Sequence, residues 1–341
     1  MISSPFLVNF ATKIVFFVEK IEEIQYPIAE DLARYRQLFA ESLAHDNPLL
    51  QTAVSHLMNR TGKVLRPTLV LLSARMFGSV NDNVFHAALA LELIHTASLI
   101  HDDVVDESDR RRGQASINAL LGNKVAVLTG DYILSKALIH ASKTGSTELV
   151  SHLAELCEVL SDGELLQLNK VESELIDEAS YYEIIRKKTA SLFAICGQIG
   201  TLLAGGSEEE AKRMYQFGQL VGIAFQLRDD IFDYGTSENI GKPVGNDMKE
   251  GKLTLPVIYA LHHSKNDSML DIANKVRAGE ASPLEISQLV QFAKDEGGIE
   301  YAEWAMKEFR IMAMGLIEES RNPAIAKSLR DYVDFVSERK F

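Results

Sequence analysis

An all-α fold, a single large bundle of long helices, is predicted by three features of this 341-residue chain. No proline occurs between Pro67 and Pro243, so no residue in that span lacks the backbone donor that helix formation requires. The same span is rich in Ala, Leu, Glu and Lys, and its apolar residues recur at helical spacing, as in Leu89, Leu93, Ile94, Ala97 and Ile100. Alternating strand-like runs are scarce. With 46% apolar residues the chain can bury a large core.

Taken in order, the elements begin with residues 1–25, an amphipathic extension in which Phe6, Phe10, Val15, Phe16 and Val18 oppose Lys13, Glu19 and Lys20. Lys13 interrupts the apolar run, no small-residue cleavage site follows, and no stretch reaches the roughly 18 apolar residues of a membrane span. The segment is expected to dock on the protein's own body, with a membrane surface as the alternative. Turn chemistry then marks the breaks: Phe77-Gly78-Ser79 with Asn81-Asp82-Asn83, Thr144-Gly145-Ser146, Ala204-Gly205-Gly206-Ser207, and Gly235 to Asn246. Between them lie helices of about 15 to 25 residues. Without a linker, a low-complexity tract or a shift in charge balance, residues 1–341 read as one domain.

The formal charge of −13 argues against nucleic-acid or broad anionic-membrane binding, both of which rely on Lys and Arg neutralising phosphates. Any phosphate chemistry must therefore use local basic clusters or metal ions. The two cysteines, Cys157 and Cys196, sit in apolar helical sequence and imply neither a disulfide framework nor a zinc site, which makes a reducing cytoplasm the expected setting.

Two clusters carry the chemistry. His101-Asp102-Asp103-Val104-Val105-Asp106 and Arg228-Asp229-Asp230-Ile231-Phe232-Asp233 share the pattern DDxxD. On a helix, Asp102 and Asp106 fall on one face at i and i+4, as do Asp229 and Asp233, and like charges at that spacing repel. Flanking apolar sequence makes unpaired carboxylates costly, so a cation must compensate. Solvated surface, or pairing with Arg110, Arg111 and Arg112 alone, leaves the recurrence of the pattern unexplained. Hard oxygen ligands without His or Cys favour magnesium, which takes one or two carboxylates together with phosphate oxygens. Basic residues recur nearby in sequence: Lys63 and Arg66 in Gly62 to Pro67, Arg111-Arg112-Gly113, Lys187-Lys188-Thr189, Lys242 in Gly241 to Gly245, and Lys252. Together they suggest two diphosphate pockets beside the metals.

From about Tyr26 to the carboxyl terminus the chain resembles the trans-isoprenyl diphosphate synthases, in particular the long-chain all-trans-polyprenyl diphosphate synthases of octaprenyl or solanesyl type. Asp102 to Gly113 resembles the family's DDxxDxxxxRRG with one added arginine, Arg110, and Asp229 to Asp233 its second DDxxD. Gly62 to Pro67 resembles GKxxRP, Gly163 to Gln167 GxxxQ, Lys188-Thr189 the KT pair, and Gly241 to Asp247 GKxxGxD.

The resemblance implies helices around a deep central cavity, facing aspartate clusters, and a homodimer. It implies about three magnesium ions per active site, two held by Asp102 and Asp106 and a third by Asp229 with Asp230 or Asp233. Asp103 belongs to the same catalytic set. Arg111, Lys188, Thr189, Gln226 and Lys242 would contact the allylic diphosphate, Lys63, Arg66, His95 and Arg112 isopentenyl diphosphate, and Lys252 is a further substrate-binding residue. His95, two helical turns before Asp102, lies on the same face. His101 has no assigned role.

The implied reaction ionises the allylic diphosphate and adds isopentenyl diphosphate head to tail. Product length follows from the cavity wall, read back a turn at a time from Asp102: Ala97 and Ser98, then Ile94, then Leu91, with Val159 and Leu160 as further floor candidates. Short-chain members carry aromatic residues in the first layer, whereas this chain has none between Phe85 and Tyr132. A product of about C30 to C50, suited to a quinone side chain, is expected, each helical turn of about 5.4 Å passing one isoprene unit. Its apolarity suggests transient membrane contact on release from a bacterial cytoplasmic enzyme. Three alternatives compete: a short-chain synthase, a class I terpene cyclase, which has no use for Lys63, Arg66 and Arg112, and a non-catalytic partner subunit, which would not need both aspartate motifs intact.

Overall fold

The computed structural model describes residues 20–58, 64–111, 114–171, 177–235, 245–318 and 321–338. The expected amphipathic extension lies outside them up to residue 19. Residues 20–25 are helical and bury Ile24 and Gln25, whose side-chain amide donates to Thr68 Oγ1 at 3.0 Å.

The all-helical expectation holds. Helices run over Ala29–Leu43 (α1), Pro48–Met58 (α2), Leu65–Phe77 (α3), Asp82–Val105 (α4), Ile117–Leu121 (α5), Asn123–Lys143 (α6), Thr147–Val171 (α7), Glu178–Ile185 (α8), Ser191–Leu203 (α9) and Glu208–Phe232 (α10). They continue over Asn246–Lys249 (α11), Leu255–Ser264 (α12), Asp267–Arg277 (α13), Pro283–Asp295 (α14), Gly298–Gly315 (α15) and Pro323–Glu338 (α16). A π-helical turn, Arg186–Ala190, joins α8 to α9. Among the described residues the only strands are Arg110–Arg111 (β1) and Gln114–Ala115 (β2), paired antiparallel.

Chain contacts divide the protein into two compact units, the first being residues 1–157, 195–215 and 317–332, the second 158–194, 216–316 and 333–341. In the first, α4 and α6 run antiparallel, because His86 meets His140 at one end while His101 meets Gly130 near the other. Small residues allow the close approach: a Cβ on Gly130 would lie 2.2 Å from His101 Nε2. Asn81 caps α4 by accepting from Val84 N at 3.1 Å and ties the cap to α9 by donating to Leu203 O at 2.8 Å. Helix α4 is apolar and long enough to cross a bilayer, yet 61% of its most apolar window is buried in the protein, as in a core helix.

The second unit packs the end of α10 against α12, α14 and α15 through Leu227, Ile231, Leu255, Ile258, Leu289 and Met306, all nearly or fully buried. Full burial of each such side chain contributes about 1.5–3 kcal/mol. Pro256 and Pro283 occupy first-turn positions, where the missing backbone donor costs nothing. Ser282 and Glu285 complete a capping box at α14.

Candidate active site

The first aspartate motif closes α4. Asp102 and Asp106 are half-buried, one helical turn apart, and Asp106 N donates to Asp102 O at 2.8 Å. Asp103, 4% exposed, is buried and accepts from Arg111 Nε at 2.6 Å. That pairing explains the ribbon β1–β2, which folds the chain back and returns Arg111 to the helix it has just left. Ser108 N and Asn118 Nδ2 both donate to Asp103 O, at 2.9 and 3.1 Å, and Ser116 Oγ donates to Ser108 O at 2.6 Å. The second aspartate of the motif therefore anchors the turn, through its carboxylate to Arg111 and its backbone carbonyl to Ser108 and Asn118, while the first and last are more open to solvent.

The second motif, at the end of α10, likewise buries its second aspartate. Asp229 is exposed, Asp233 half-buried and Asp230 3% exposed. Asp230 accepts from Tyr181 Oη at 2.5 Å and from Gln226 Nε2 at 2.7 Å. Burial pushes its carboxyl up to about 7, helped by the charges of Asp229 and Asp233 and opposed by the two hydrogen bonds. Asp233 accepts from the backbone N–H of Asn246 at 2.8 Å and Asp247 at 3.0 Å, so it holds the first turn of α11. Asp247 is pushed well above the ordinary carboxylate range, first by burial and then by Asp230 and Asp233.

Lys187, Lys188 and Thr189 occupy the π-helical turn, a form that concentrates at functional sites. Thr189 Oγ1 donates to Gln226 Oε1 at 2.8 Å, which joins the KT pair to Asp230 through one amide. Lys188 Nζ lies 2.5 Å from Glu164 Oε2 and donates to Gln167 Oε1 at 3.0 Å, while Lys187 faces Asp162 and Glu183 at 2.7 and 2.9 Å. Lys252 Nζ donates to Glu250 Oε2 at 2.8 Å, and its charge acts on Asp247.

Other expected site residues lie in the first unit. Arg66 is half-buried in the first turn of α3, beside Val64, whose φ of 51° places a β-branched residue in the left-handed region. His95 is half-buried on α4, as are Ser98 and Thr96; Ala97, Ile94 and Leu91 are 2%, 3% and 0% exposed. His101, left without a role by its sequence context, lies against Gly130 with Nε2 3.3 Å from Val127 O and 3.4 Å from Asp131 Oδ1. Lys63, Arg112 and Lys242 lie outside the described residues.

Sequence reasoning missed Tyr181 and Glu164. The glutamate stands inside the Gly163 to Gln167 motif, next to a glycine whose Cβ would meet Lys187 Cβ at 2.7 Å and Lys188 Cγ at 3.0 Å. For Tyr181 no sequence signal exists, because its partner is distant in the chain.

Among the described residues no three His, Cys, Asp or Glu side chains converge as a ready-made metal cluster. The candidate donors are the carboxylates of the two aspartate motifs, whose oxygen-only chemistry fits a hard divalent cation that completes its shell with phosphate oxygens and water.

Residues 47–292 match the Polyprenyl synthetase family. The octaprenyl diphosphate synthase of Haemophilus influenzae is 36% identical over 299 residues, covering 87% of this chain and 91% of the relative. A solved geranylgeranyl pyrophosphate synthase from Bacteroides thetaiotaomicron superposes with a TM-score of 0.83 at 42% identity, covering 94% of this chain and 100% of that one. The polyprenyl synthase from Caulobacter crescentus CB15, solved with calcium and isoprenyl diphosphate, superposes with a TM-score of 0.87 at 29% identity, covering 94% and 98%. Two anchored aspartate motifs on an all-helical frame and a family match over most of the chain lead to one conclusion: the chain belongs to the polyprenyl synthetase family and is a prenyltransferase.

Proposed function

We propose that this enzyme condenses isopentenyl diphosphate head to tail onto an allylic diphosphate, with magnesium, and extends the product to about C30 to C50. The observation that carries the reading is the shared construction of the two motifs. In each, the second aspartate is buried and held by protein donors, Asp103 by Arg111 and Asp230 by Tyr181 and Gln226. The flanking aspartates are more open to solvent, although Asp233 also accepts from two backbone N–H groups of α11; Asp102 with Asp106, and Asp229 with Asp233, would hold metal. Bound there, the divalent ions would neutralise the charge that develops on the departing diphosphate.

The protein's own groups divide the remaining work. Lys188 and Arg111, with Lys242 and Lys252, would bind the allylic diphosphate, and Lys63, Arg66, His95 and Arg112 the isopentenyl partner. Thr189 and Gln226 would present oriented dipoles to the allylic cation, since the hydrogen bonds to each other and to Asp230 fix their rotamers. Apolar walls would keep water from that cation.

The long product is supported by the small first layer, Ala97 and Ser98, and by the octaprenyl-forming relative. A short product is the second reading, favoured by the geranylgeranyl-forming relative. We place the enzyme in the cytoplasm as a homodimer; exposed Leu128, Leu138 and Ile139 on α6 support self-association. An apolar product would leave through brief contact with a membrane. Incubation with farnesyl diphosphate, labelled isopentenyl diphosphate and magnesium, followed by sizing of the dephosphorylated products, tests the whole reading. A ladder ending at about C30 to C50 is expected. Arrest at C15 or C20 would keep the reaction and overturn the length; no magnesium-dependent consumption would overturn both.

A further inference from the structure

We propose that Glu164 screens Lys188, so that the lysine grips a magnesium-bound diphosphate and rejects a metal-free one. The inference rests on the reading of Lys188 as a diphosphate ligand and goes beyond it. Glu164 Oε2 lies 2.5 Å from Lys188 Nζ, and the two side chains are only 16% and 21% exposed. Gln167 Oε1 accepts from the same ammonium at 3.0 Å, which leaves its third proton for an oxyanion. The contact is built in, because Gly163 lets α7 reach the π-helical turn where any side chain would strike Lys187 and Lys188. Glu164 Oε1 is buried and has no hydrogen-bond partner among the described residues. Such an oxygen is expensive to leave in place for structural reasons alone.

The neighbouring lysine shows what an ordinary surface pair looks like. Lys187 meets Asp162, 59% exposed, and Glu183, 50% exposed. Lys188 instead meets a carboxylate only 16% exposed, and Thr189, beside it in the chain, is tied through Gln226 to Asp230 of the second aspartate motif.

The consequence is electrostatic. A phosphate oxygen within hydrogen-bonding reach of Nζ lies at most about 5 Å from the Glu164 carboxylate, close enough for strong like-charge repulsion at a half-buried site. If the anion drew Lys188 away, it would strand a shielded carboxylate without its counterion. Metal-free diphosphate suffers this penalty in full. Diphosphate already neutralised by magnesium suffers little of it, so the glutamate converts a general anion-binding lysine into one that responds to the metal complex.

Calorimetric titration of the full-length enzyme with inorganic diphosphate, with and without magnesium, tests the inference. Glu164→Gln keeps the shape and removes the charge; it should raise the affinity for metal-free diphosphate about tenfold and change affinity in saturating magnesium less than about twofold. A purely structural glutamate could only lose affinity when replaced. Glu164→Asp, which retains the charge, should behave as wild type, and Asp162→Asn, beside Lys187, should have no effect. Adding Lys188→Met should abolish the gain. No gain for metal-free diphosphate in Glu164→Gln, or an equal gain with magnesium, overturns the screening role while leaving the diphosphate site standing. Failure of the wild type to bind diphosphate even with magnesium would overturn the site itself.

Discussion

Tyr181 donates a 2.5 Å hydrogen bond to Asp230 Oδ2, and both residues are only 3% exposed. The phenol is pushed well above its ordinary pKa, first by burial and then by Asp230, so it remains a donor. Tyr181→Phe removes that donor and leaves a buried carboxylate oxygen without it. A loss of about 1–3 kcal/mol is expected from the unsatisfied acceptor, seen as a lower denaturation midpoint with an unchanged slope. An unchanged midpoint would mean that Asp230 is held by Gln226 alone.

Asp102→Asn tests the division of labour within the first motif. It preserves size and helix position but removes one charge from the open face, so turnover should fall at least about 100-fold with little change in melting temperature. Asp103→Asn should do the reverse in part: it breaks the pair with Arg111 at a site only 4% exposed, so folding stability should suffer as well. Equal stability loss in both variants would count against the distinction.

Much of this is legible in the amino-acid sequence. The proline-free span and the helical spacing of Leu89, Leu93 and Ile94 anticipate the core helix α4, and i, i+4 spacing alone puts Asp102 and Asp106 on one face. What spacing could not reveal is which aspartate turns inward. That choice is made by Arg111, returned to Asp103 by a two-stranded ribbon, and by Tyr181, brought to Asp230 by tertiary packing. The widened turn around Lys188 was equally hidden, because Arg186 to Ala190 has ordinary helical composition. Glu164 stood beside a motif glycine, but its ion pair depends on the approach of two helices.

Product length should respond to Ser98 rather than to Ala97. Ala97 is 2% exposed, so Ala97→Phe would overpack the core at a cost of about 1–3 kcal/mol and confuse specificity with folding. Ser98 is half-buried, with Oγ donating to His95 O in its own helix at 3.0 Å. Ser98→Phe should shorten the largest product while the first condensation proceeds at a similar rate, measured by sizing dephosphorylated products. Unchanged product length would move the blocking layer away from this turn.

Gly130 has a steric reason to be glycine. The Cβ of Gly130→Ala would come within 2.2 Å of His101 Nε2 and 2.6 Å of Cδ2, so the imidazole would have to leave its place beside Val127 O and Asp131. A lowered melting temperature is expected, equivalent to about 1–3 kcal/mol. Adding His101→Ala removes the obstructing ring, and the double variant should then be no less stable than His101→Ala alone. Full additivity of the two losses would show that the glycine serves some other contact.

The pair His86 and His140 makes the first unit sensitive to acid. Their Nδ1 atoms are 3.1 Å apart, so one ring donates to the other only while at least one is neutral. Burial, followed by Lys143, lowers both, His140 to about 4, with His86 and Lys136 adding to the effect on His140. A histidine depressed in the folded state stabilises fully above its unfolded pKa, about 6.5, and loses that contribution as pH falls toward the folded value. For His140 the loss by pH 5 is about 2 kcal/mol. Denaturant unfolding at pH 7.5 and pH 5 should therefore show a smaller acid penalty in His140→Gln than in wild type, even if the variant is weaker at pH 7.5. Equal penalties would place the acid sensitivity in other groups.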